Sequence, residues 1–399
     1  MKYDFDKPVD RNNTCCVKYD ALEAVFGKAG LLPLWVADMD FETPDFIIDA
    51  LKERLEHPVL GYACELPDYW PSVVDWQKRR NGWEIDPSHL AFVPGIVKGI
   101  GMVINVFTEP GDKIIIQPPV YHPFRLVPQK NGREIVWNPL KLTEHGYEMD
   151  LEQLESVIDG CRVLILSNPH NPAGVAWPVE TLRRLAEICR RHGVIVISDE
   201  IHSDMYLFGK KHVPFATVSD AAREISITFA APSKTFNIAG VITSYCVVPD
   251  DSLRERLFSW IHANEMDAKG IFPPVATAAA YRKGESWLEQ MLAYVGQNVL
   301  YVEDFCREHI PGIVPMRPDA SFLVWLDCRG LGLDHDALIS LFVDKAGLAL
   351  NDGAMFGPGG EGFMRMNVGT RKAVLEEAME RLAAAVASIQ RLSALTASL

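Results

Sequence analysis

One lysine, Lys234, lies in a stretch that offers its charged amine no partner. The stretch FAAPSKTFNIAG, residues 229–240, contains no acidic residue and follows the apolar run EISITFAAP, which is typical of a buried strand. Burial disfavours the ammonium form of a lysine and lowers its pKa, so that the neutral amine can act as a nucleophile or as a base. The sequence therefore presents Lys234 as a candidate catalytic amine, and an ordinary loop lysine is the alternative.

Polar residues and a glycine-led helix start follow other apolar, strand-like runs. These positions are Asn168, Asn171 and Gly174 after LILS, Asp199, Glu200, His202 and Asp204 after IVIS, Tyr121 after DKIIIQPP, and Gly95, Ile96 and Val97 after LAFVP. Ligands of open α/β sheets bind at the carboxyl ends of the strands. These residues are therefore predicted to share one site with Lys234.

Strand and helix patterns alternate between about residues 90 and 250. The predicted strands are LAFVPG, DKIIIQPP, GREIVWNP, CRVLILSNP, GVIVISDE and ISITFAAP. Several are nearly continuous in Val, Ile and Leu, which is typical of strands covered on both faces. Intervening segments such as PVETLRRLAEICRRHG have the pattern of amphipathic helices. This alternation predicts the α/β class, with a mainly parallel sheet.

The pattern changes after about residue 285. A long helix is predicted at SWLEQMLAYVGQNVLYVEDFCREH, followed by strands at SFLVWLDC and GFMRMNVG and helices at DHDALISLFVDKAG and KAVLEEAMERLAAAVASIQRL. We therefore predict a large domain over residues 46–284 and a smaller α+β domain formed by residues 1–45 and 285–399.

The composition is that of a globular protein that binds neither nucleic acid nor membranes. The 399 residues are 48% hydrophobic and carry a formal net charge of −14. An acidic protein lacks the basic surface that nucleic acids and anionic membranes require. Neither a signal peptide nor a run of about 18 apolar residues is visible, so a cytoplasmic location is expected. The eight cysteines show no metal-ligand spacing, so we expect no metal site and mostly buried thiols.

The ordered set NPHNPAG, SDEIH and SKTFN resembles the fold-type I pyridoxal 5′-phosphate (PLP) enzymes of the aminotransferase class I/II superfamily. The resemblance covers essentially the whole chain and implies an aspartate-aminotransferase-like fold. It implies that Lys234 holds the PLP aldehyde covalently, that Asp199 keeps the ring nitrogen protonated, and that Asn171 donates to the ring oxygen. Taken singly, Asp199 is also a reasonable helix cap and Asn171 a reasonable turn residue.

The same resemblance implies further cofactor and substrate contacts. Tyr121 would stack on the ring, and the phosphate would be bound by the α-helix start at Gly95, Ile96 and Val97, by the Ser233 hydroxyl, and by Tyr62 from a second subunit. A homodimer with shared active sites follows from this role of Tyr62. The substrate carboxylate would be bound by Arg365, with Asn171, Ala37 and Tyr62 beside it.

Three motifs point to a subgroup within this superfamily. WVADMDF, SDEIHSD and LNDGAMFG with GEGFMRMN resemble the cystathionine β-lyase-like C–S lyases. Ile242 stands where many class I aminotransferases have a phosphate-binding arginine, and His202 stands where many have a tyrosine beside the ring oxygen. Ala231 replaces a phosphate-binding serine of many relatives. The resemblance predicts α,β-elimination from a sulfur amino acid, which yields a thiol, pyruvate and ammonia.

The nature of the substrate and of the reaction leaves alternatives. Trp35, Tyr121 and Phe272 are expected near the pocket, where apolar rings suit a thioether side chain. No second arginine is placed by a motif to bind a dicarboxylate. An aminotransferase remains an alternative, because the same scaffold supports both reactions. A regulatory protein that uses the fold for binding is a further alternative.

Overall fold

A seven-stranded sheet forms the centre of the computed structural model, which describes residues 2–397 and the side chains as far as residue 391. Its strands are β1 (Leu90–Val93), β2 (Lys113–Ile116), β3 (Glu134–Trp137), β4 (Cys161–Ser167), β5 (Ile195–Asp199), β6 (Ser226–Ala230) and β7 (Ser244–Val247). The strand order is β1-β7-β6-β5-β4-β2-β3. Strands β2 to β6 pair in parallel, whereas β7 is antiparallel to both β1 and β6. The predicted α/β class with a mainly parallel sheet is confirmed.

Apolar residues cover both faces of this sheet. In β4, Val163 and Ile165 belong to the core on one face, and Leu164 and Leu166 belong to the core on the other. All four side chains are fully buried. Their continuous apolar run therefore reflects a strand with no solvent face, as the sequence predicted.

The helices surround the two sheets of the protein. They are α1 (Val17–Asp20), α2 (Leu22–Phe26), α3 (Asp45–Leu55), α4 (Tyr69–Asn81), α5 (Ile96–Phe107), α6 (Pro123–Lys130), α7 (Leu151–Val157), α8 (Val179–Arg191), α9 (Asp220–Ile225), α10 (Pro232–Thr235), α11 (Asp251–Ala263), α12 (Phe272–Lys283), α13 (Glu285–His309), α14 (His335–Ser340) and α15 (Lys372–Ala397). The helix predicted over 334–347 is shorter than expected, because α14 ends at Ser340 and a π-helical turn, Leu341–Lys345, follows it.

A second, antiparallel sheet lies in the C-terminal part of the chain. It contains β8 (Val314–Met316), β9 (Leu323–Asp327), β10 (Asn351–Asp352) and β11 (Phe363–Asn367), in the order β8-β9-β11-β10. Two short ladders join Leu32–Pro33 to Leu348–Ala349 and Lys141–Thr143 to Gly146–Glu148. The division into domains at residues 45 and 285 stays a prediction.

The N-terminal segment of residues 34–41 is fixed by side-chain amides from distant parts of the chain. The Nδ2 atom of Asn367, at the end of β11, donates to the carbonyls of Val36 and Asp38, both at 2.6 Å. The Nδ2 atom of Asn237 donates to the carbonyls of Met39 (2.9 Å) and Phe41 (2.8 Å). Extended backbone that leaves its carbonyls unpaired would be costly to bury, so these amides hold the segment in place.

Two further features concern the whole described chain. None of the described helices is both long and apolar enough to cross a membrane. The eight cysteines are free thiols, and five of them are buried, which agrees with the expectation of mostly buried thiols.

Candidate active site

A cavity of about 330 Å³ lies at the carboxyl edge of the central sheet, where β4, β5 and β6 end. All the predicted site residues except Tyr62 and Arg365 line this cavity. They are Lys234, Asp199, Asn171, His202, Tyr121, Gly95, Ile96, Val97, Ser233 and Ala37. The parallel strands therefore place side chains from distant parts of the sequence around one space, which is the arrangement that open α/β sheets use to bind ligands.

Lys234 lies on α10, the short helix that begins directly after β6. Pro232 begins this helix and fixes its entry into the turn. The Nζ atom of Lys234 donates to the carbonyl oxygen of Ala37 at 2.5 Å. Burial lowers the pKa of Lys234 from 10.5 to about 8, although the carboxylates of Asp38 and Asp199 oppose the shift. The amine is thus far easier to deprotonate than a surface lysine, as expected for a catalytic amine.

Asp199 is the last residue of β5 and is buried. Its Oδ1 atom accepts a hydrogen bond from the backbone N–H of Ile201 at 3.1 Å. Within the described chain no other group donates to this carboxylate. Burial raises its pKa from 3.8 to about 7, against the opposing effects of the Ile201 N–H and Lys234. A protonated ring nitrogen would supply the cationic donor that this carboxylate lacks.

Arg365 is a buried cation on β11 that has no carboxylate partner among residues 2–391. Its Nη1 atom donates to Asn171 Oδ1 at 2.9 Å, and its Nη2 atom donates to Asn351 Oδ1 at 2.6 Å and to the Trp35 carbonyl at 3.3 Å. Its Nε–H has no partner. The guanidinium lies 4.9 Å from the centre of the Phe356 ring.

The electrostatics of Arg365 favour an anionic ligand. Burial lowers its pKa from 12.5 to about 10. A buried cation held only by neutral groups is destabilised by its lost hydration, and an entering carboxylate would compensate for this loss. Arg365 donates to the side-chain oxygen of Asn171, and the Nδ2 donor of Asn171 has no protein partner in the described residues. One asparagine can therefore bind Arg365 through its oxygen and a ring oxygen through its nitrogen.

The aromatic and histidine side chains of the cavity are desolvated. The backbone N–H of Tyr121 donates to the Asn171 carbonyl at 3.1 Å, which fixes the tyrosine beside that residue. Burial raises the pKa of the Tyr121 phenol, so the phenol is neutral at physiological pH. Burial lowers the pKa of His202 to about 3, so its imidazole is neutral as well, and its Nδ1 atom has no partner.

The start of α5 borders the same cavity. Gly95 precedes the helix with φ 109°, a backbone conformation that residues other than glycine rarely adopt. Further along the helix, a Cβ atom on Gly99 would lie 2.5 Å from the Phe229 ring of β6. The absence of a side chain at Gly99 therefore lets α5 approach the sheet closely. The first residues of α5 line the cavity, and the N–H groups of a helix's first turn have no partner within the helix.

Sequence reasoning missed several residues that line the cavity. They are Pro94, Lys98, Ser167, Ile201, Ala239, Thr243 and Ser244. Ile242, which the sequence analysis singled out, also lines the cavity. Thr243 and Ser244 were missed because no strand was predicted over residues 244–247, although the SYCV run has the apolar character of a buried strand. Because β7 is antiparallel to β6, the beginning of β7, and not its end, lies at the carboxyl edge of the parallel strands.

Two predicted site residues and two predicted pocket rings do not line the cavity. Tyr62 is fully exposed, in a segment without helix or strand, so its contact to a cofactor depends on a second copy of the chain and stays a prediction. Arg365 reaches the cavity through Asn171. The Trp35 ring packs 5.2 Å from the Phe26 ring, and Phe272 begins α12. Neither residue lines the cavity, and their expected place near the pocket stays a prediction.

Comparison with known proteins identifies the family. The sequence profile described as aminotransferase class I and II matches residues 30–382. The chain belongs to this family. It is 43% identical to cystathionine beta-lyase PatB of Bacillus subtilis (strain 168), over 96% of this chain and 99% of that protein. Its fold is similar to that of cystalysin from Treponema denticola, a structure that contains pyridoxal 5′-phosphate, with a TM-score of 0.94, 32% identity, and coverage of 98% and 100% of the two chains.

A further solved structure, the PLP-bound C–S lyase from Staphylococcus hominis, is similar with a TM-score of 0.90 and 32% identity, covering 97% of this chain and 98% of that one. Ile242 lies at the wall of the cavity. Ile242 adopts φ 56°, which is strained for a β-branched side chain, and it is 49% exposed. The cavity has no arginine at this position.

Proposed function

We propose that the protein is a PLP-dependent C–S lyase that removes a thiol from a sulfur amino acid by α,β-elimination. The observation that carries this proposal is the set formed by Lys234, Asp199 and Arg365. It combines an amine with a lowered pKa, a buried carboxyl group without a cationic donor, and a buried guanidinium without an anion. The similarity to a cystathionine beta-lyase and to C–S lyases supports this reaction among those known for the fold.

The residues of the cavity fit PLP. Lys234 would hold the aldehyde covalently, Asp199 would accept a hydrogen bond from the ring nitrogen, and Asn171 Nδ2 would donate to the ring oxygen. The Tyr121 ring would pack on the face of the pyridine, and the amides at the start of α5 would bind the phosphate. When bound, PLP supplies an electron sink for the negative charge that develops at Cα of an amino acid.

Lys234 moves the proton in this reaction. Its pKa of about 8 leaves a useful fraction of neutral amine at neutral pH, so Nζ can accept the Cα proton of the substrate. The carbonyl of Ala37, which accepts from Nζ at 2.5 Å, holds the amine in the cavity while it is not bonded to a ligand. Asp199, buried and ionised beside a cation, stabilises positive charge at the ring nitrogen.

Arg365 orients the substrate. Its guanidinium presents unused donor capacity to a carboxylate, while Asn351 and the Trp35 carbonyl fix its plane. A carboxylate held in this way sets which bond of Cα faces Lys234. In the overall reaction the Cα–H and Cβ–S bonds break, the thiolate takes up a proton, and addition of water to the remaining three-carbon fragment yields pyruvate and ammonia.

The substrate proposed is a small-molecule amino acid with a thioether or thiol at Cβ, such as cystathionine. The test is incubation of the PLP-loaded protein with L-cystathionine in the absence of any 2-oxo acid, while pyruvate and free thiol are both measured. Equal amounts of the two products are expected, and the Lys234→Ala variant should form neither. Conversion of the cofactor to its pyridoxamine form without pyruvate would instead identify an aminotransferase.

We further propose a homodimer with shared active sites, located in the cytoplasm. Support comes from the exposed segment around Tyr62, where Val59 and Leu60 are also about 60% exposed, because exposed apolar side chains in one segment are typical of an interface. Eight free thiols suit a reducing compartment.

A subunit-mixing experiment tests the shared site. Lys234→Ala and Tyr62→Ala are each expected to be poorly active, whereas hybrids formed from both should regain activity, because one site then has both Lys234 and the partner copy's tyrosine. No recovery in hybrids whose formation is verified by native mass spectrometry would count against a shared site.

A further inference from the structure

Lys98 is a cation at the cavity that the function described so far does not use. It is the third residue of α5 and one of the residues that line the cavity. Its side chain is exposed and makes no hydrogen bond or ion pair within the described residues. Lys98 and Lys234 are the only lysine or arginine residues lining this cavity in the described part of the chain.

The position of Lys98 is unfavourable for the helix itself. The first turn of a helix carries partial positive charge, so a cation there destabilises the helix, whereas an acidic residue stabilises it. The first turn of α5 contains no acidic residue, and no side chain caps its N-terminus. An anion bound at this end would satisfy the free N–H groups and would neutralise the lysine at the same time.

Two buried hydroxyl groups in the same cavity also lack partners. Ser233 is 8% exposed and Ser244 is 3% exposed, and both side chains line the cavity. Neither hydroxyl forms a hydrogen bond with any residue that the structure describes. Buried hydroxyl groups are nearly always hydrogen-bonded, so each is available to a ligand. Backbone amides, two hydroxyls and one ammonium together form a set of donors suited to a phosphate dianion.

We propose that Lys98 neutralises the phosphate of PLP, with Ser233 and Ser244 as hydroxyl donors beside it. This inference rests on the proposed function for its ligand. Lys234 cannot serve the phosphate, because it is required at the aldehyde. Ile242 offers no charge at the cavity wall, so Lys98 supplies the positive charge that the rest of this end of the cavity lacks.

The experiment compares PLP with pyridoxal, which has the same ring and aldehyde but no phosphate. Dissociation constants of both are measured on the apoenzyme by absorbance titration, for the wild-type protein, Lys98→Met and Lys98→Arg. Lys130→Met is the matched control, because Lys130 is also exposed, lies on the neighbouring helix α6 and makes no ion pair among the described residues.

We expect Lys98→Met to weaken PLP binding by roughly two- to fivefold, the effect of removing one exposed ionic contact. Pyridoxal affinity should not change, Lys98→Arg should retain most of the PLP affinity, and Lys130→Met should match the wild type. The salt dependence of PLP binding should also be smaller in Lys98→Met, because one charge pair is absent.

Two outcomes would overturn the inference. They are an unchanged PLP affinity in Lys98→Met and an equal loss of affinity for PLP and pyridoxal. If the PLP affinity is unchanged and the KM for the amino acid is raised, Lys98 would be assigned to the substrate instead. Because the readout is cofactor affinity, a phosphate-specific loss in a protein that forms no pyruvate would support Lys98 while refuting the C–S lyase proposal.

Discussion

Replacement of Arg365 by methionine should separate substrate binding from folding. The guanidinium is buried, has no anionic partner in the described chain, and donates to two asparagine side chains and one backbone carbonyl. Methionine has a similar length and no charge, so it removes the carboxylate contact and the cost of burying a cation together. We expect a large loss of catalytic efficiency and a small change in stability.

The magnitudes follow from the pKa shift and the hydrogen bonds. Burial moves the pKa of Arg365 from 12.5 to about 10, which destabilises the charged folded form by about 3 kcal/mol at about 1.4 kcal/mol per pKa unit. Because the folded-state pKa is the lower one, this cost is fully present at neutral pH. The three hydrogen bonds offset it by about 1 kcal/mol each. The expected net change in the free energy of unfolding is therefore within about 1 kcal/mol.

The loss in catalysis is much larger. Two charge-assisted hydrogen bonds to a carboxylate contribute roughly 1.5–3 kcal/mol each, so kcat/KM should fall by about 10² to 10⁴. The assay is pyruvate formation from L-cystathionine by the PLP-loaded variants, and stability is measured by urea unfolding of the same variants without PLP. Arg317→Met is the control, since Arg317 is exposed and paired with Glu303. A kcat/KM within tenfold of the wild type, or a stability loss as large as the catalytic loss, would refute the reasoning.

Three further substitutions test the surroundings of the cavity. At pH 8 the apoprotein with Asp199→Asn should be more stable to urea than the wild type, and the difference should vanish near pH 4. Burial raises the pKa of Asp199 from 3.8 to about 7, so the cost to the wild type grows as the unfolded chain ionises above about pH 4 and is complete above about pH 7. A difference independent of pH would contradict this account. Thr235→Val should destabilise the protein by about 1–2 kcal/mol, because Thr235 Oγ1 donates to the buried Asp204 carboxylate at 2.9 Å. Thr235→Ser keeps the hydroxyl group and should be as stable as the wild type when the melting temperatures of all three proteins are compared. Gly99→Ala should cost about 1–3 kcal/mol and weaken PLP binding, because its methyl group would collide with the Phe229 ring; a wild-type melting temperature and PLP affinity would show that α5 can shift freely.

The local sequence was sufficient to predict the parallel strands and the residues at their ends. Strands such as β4 are apolar on both faces, and a polar residue directly after such a strand must lie at an edge of the sheet. This is why Asp199 and Asn171, separated in sequence, were both placed near Lys234. Strand β7 was not among the predicted strands, and its direction could not have been predicted, because an apolar run is the same whichever way the strand points. Ser244 was missed for both reasons.

Other site residues depend on contacts that leave no local pattern. Lys98 has the exposed character of any surface lysine on a helix, and only the position of α5 brings it to the cavity. Arg365 could be placed by motif resemblance alone, since its contact with Asn171 joins the two sheets of the protein. Tyr62 lies in a segment without helix or strand periodicity, so only the resemblance to the family assigned it a role.

The contacts that hold residues 34–41 have a consequence for folding during synthesis on the ribosome. The carbonyl of Val36 accepts from Asn367, 331 positions later in the chain. The N-terminal segment is therefore synthesised first but acquires this partner only when nearly all of the chain has emerged. Ala37, whose carbonyl accepts from Lys234, lies between Val36 and Asp38, so the segment that presents this carbonyl gains the support of Asn367 only at this late stage.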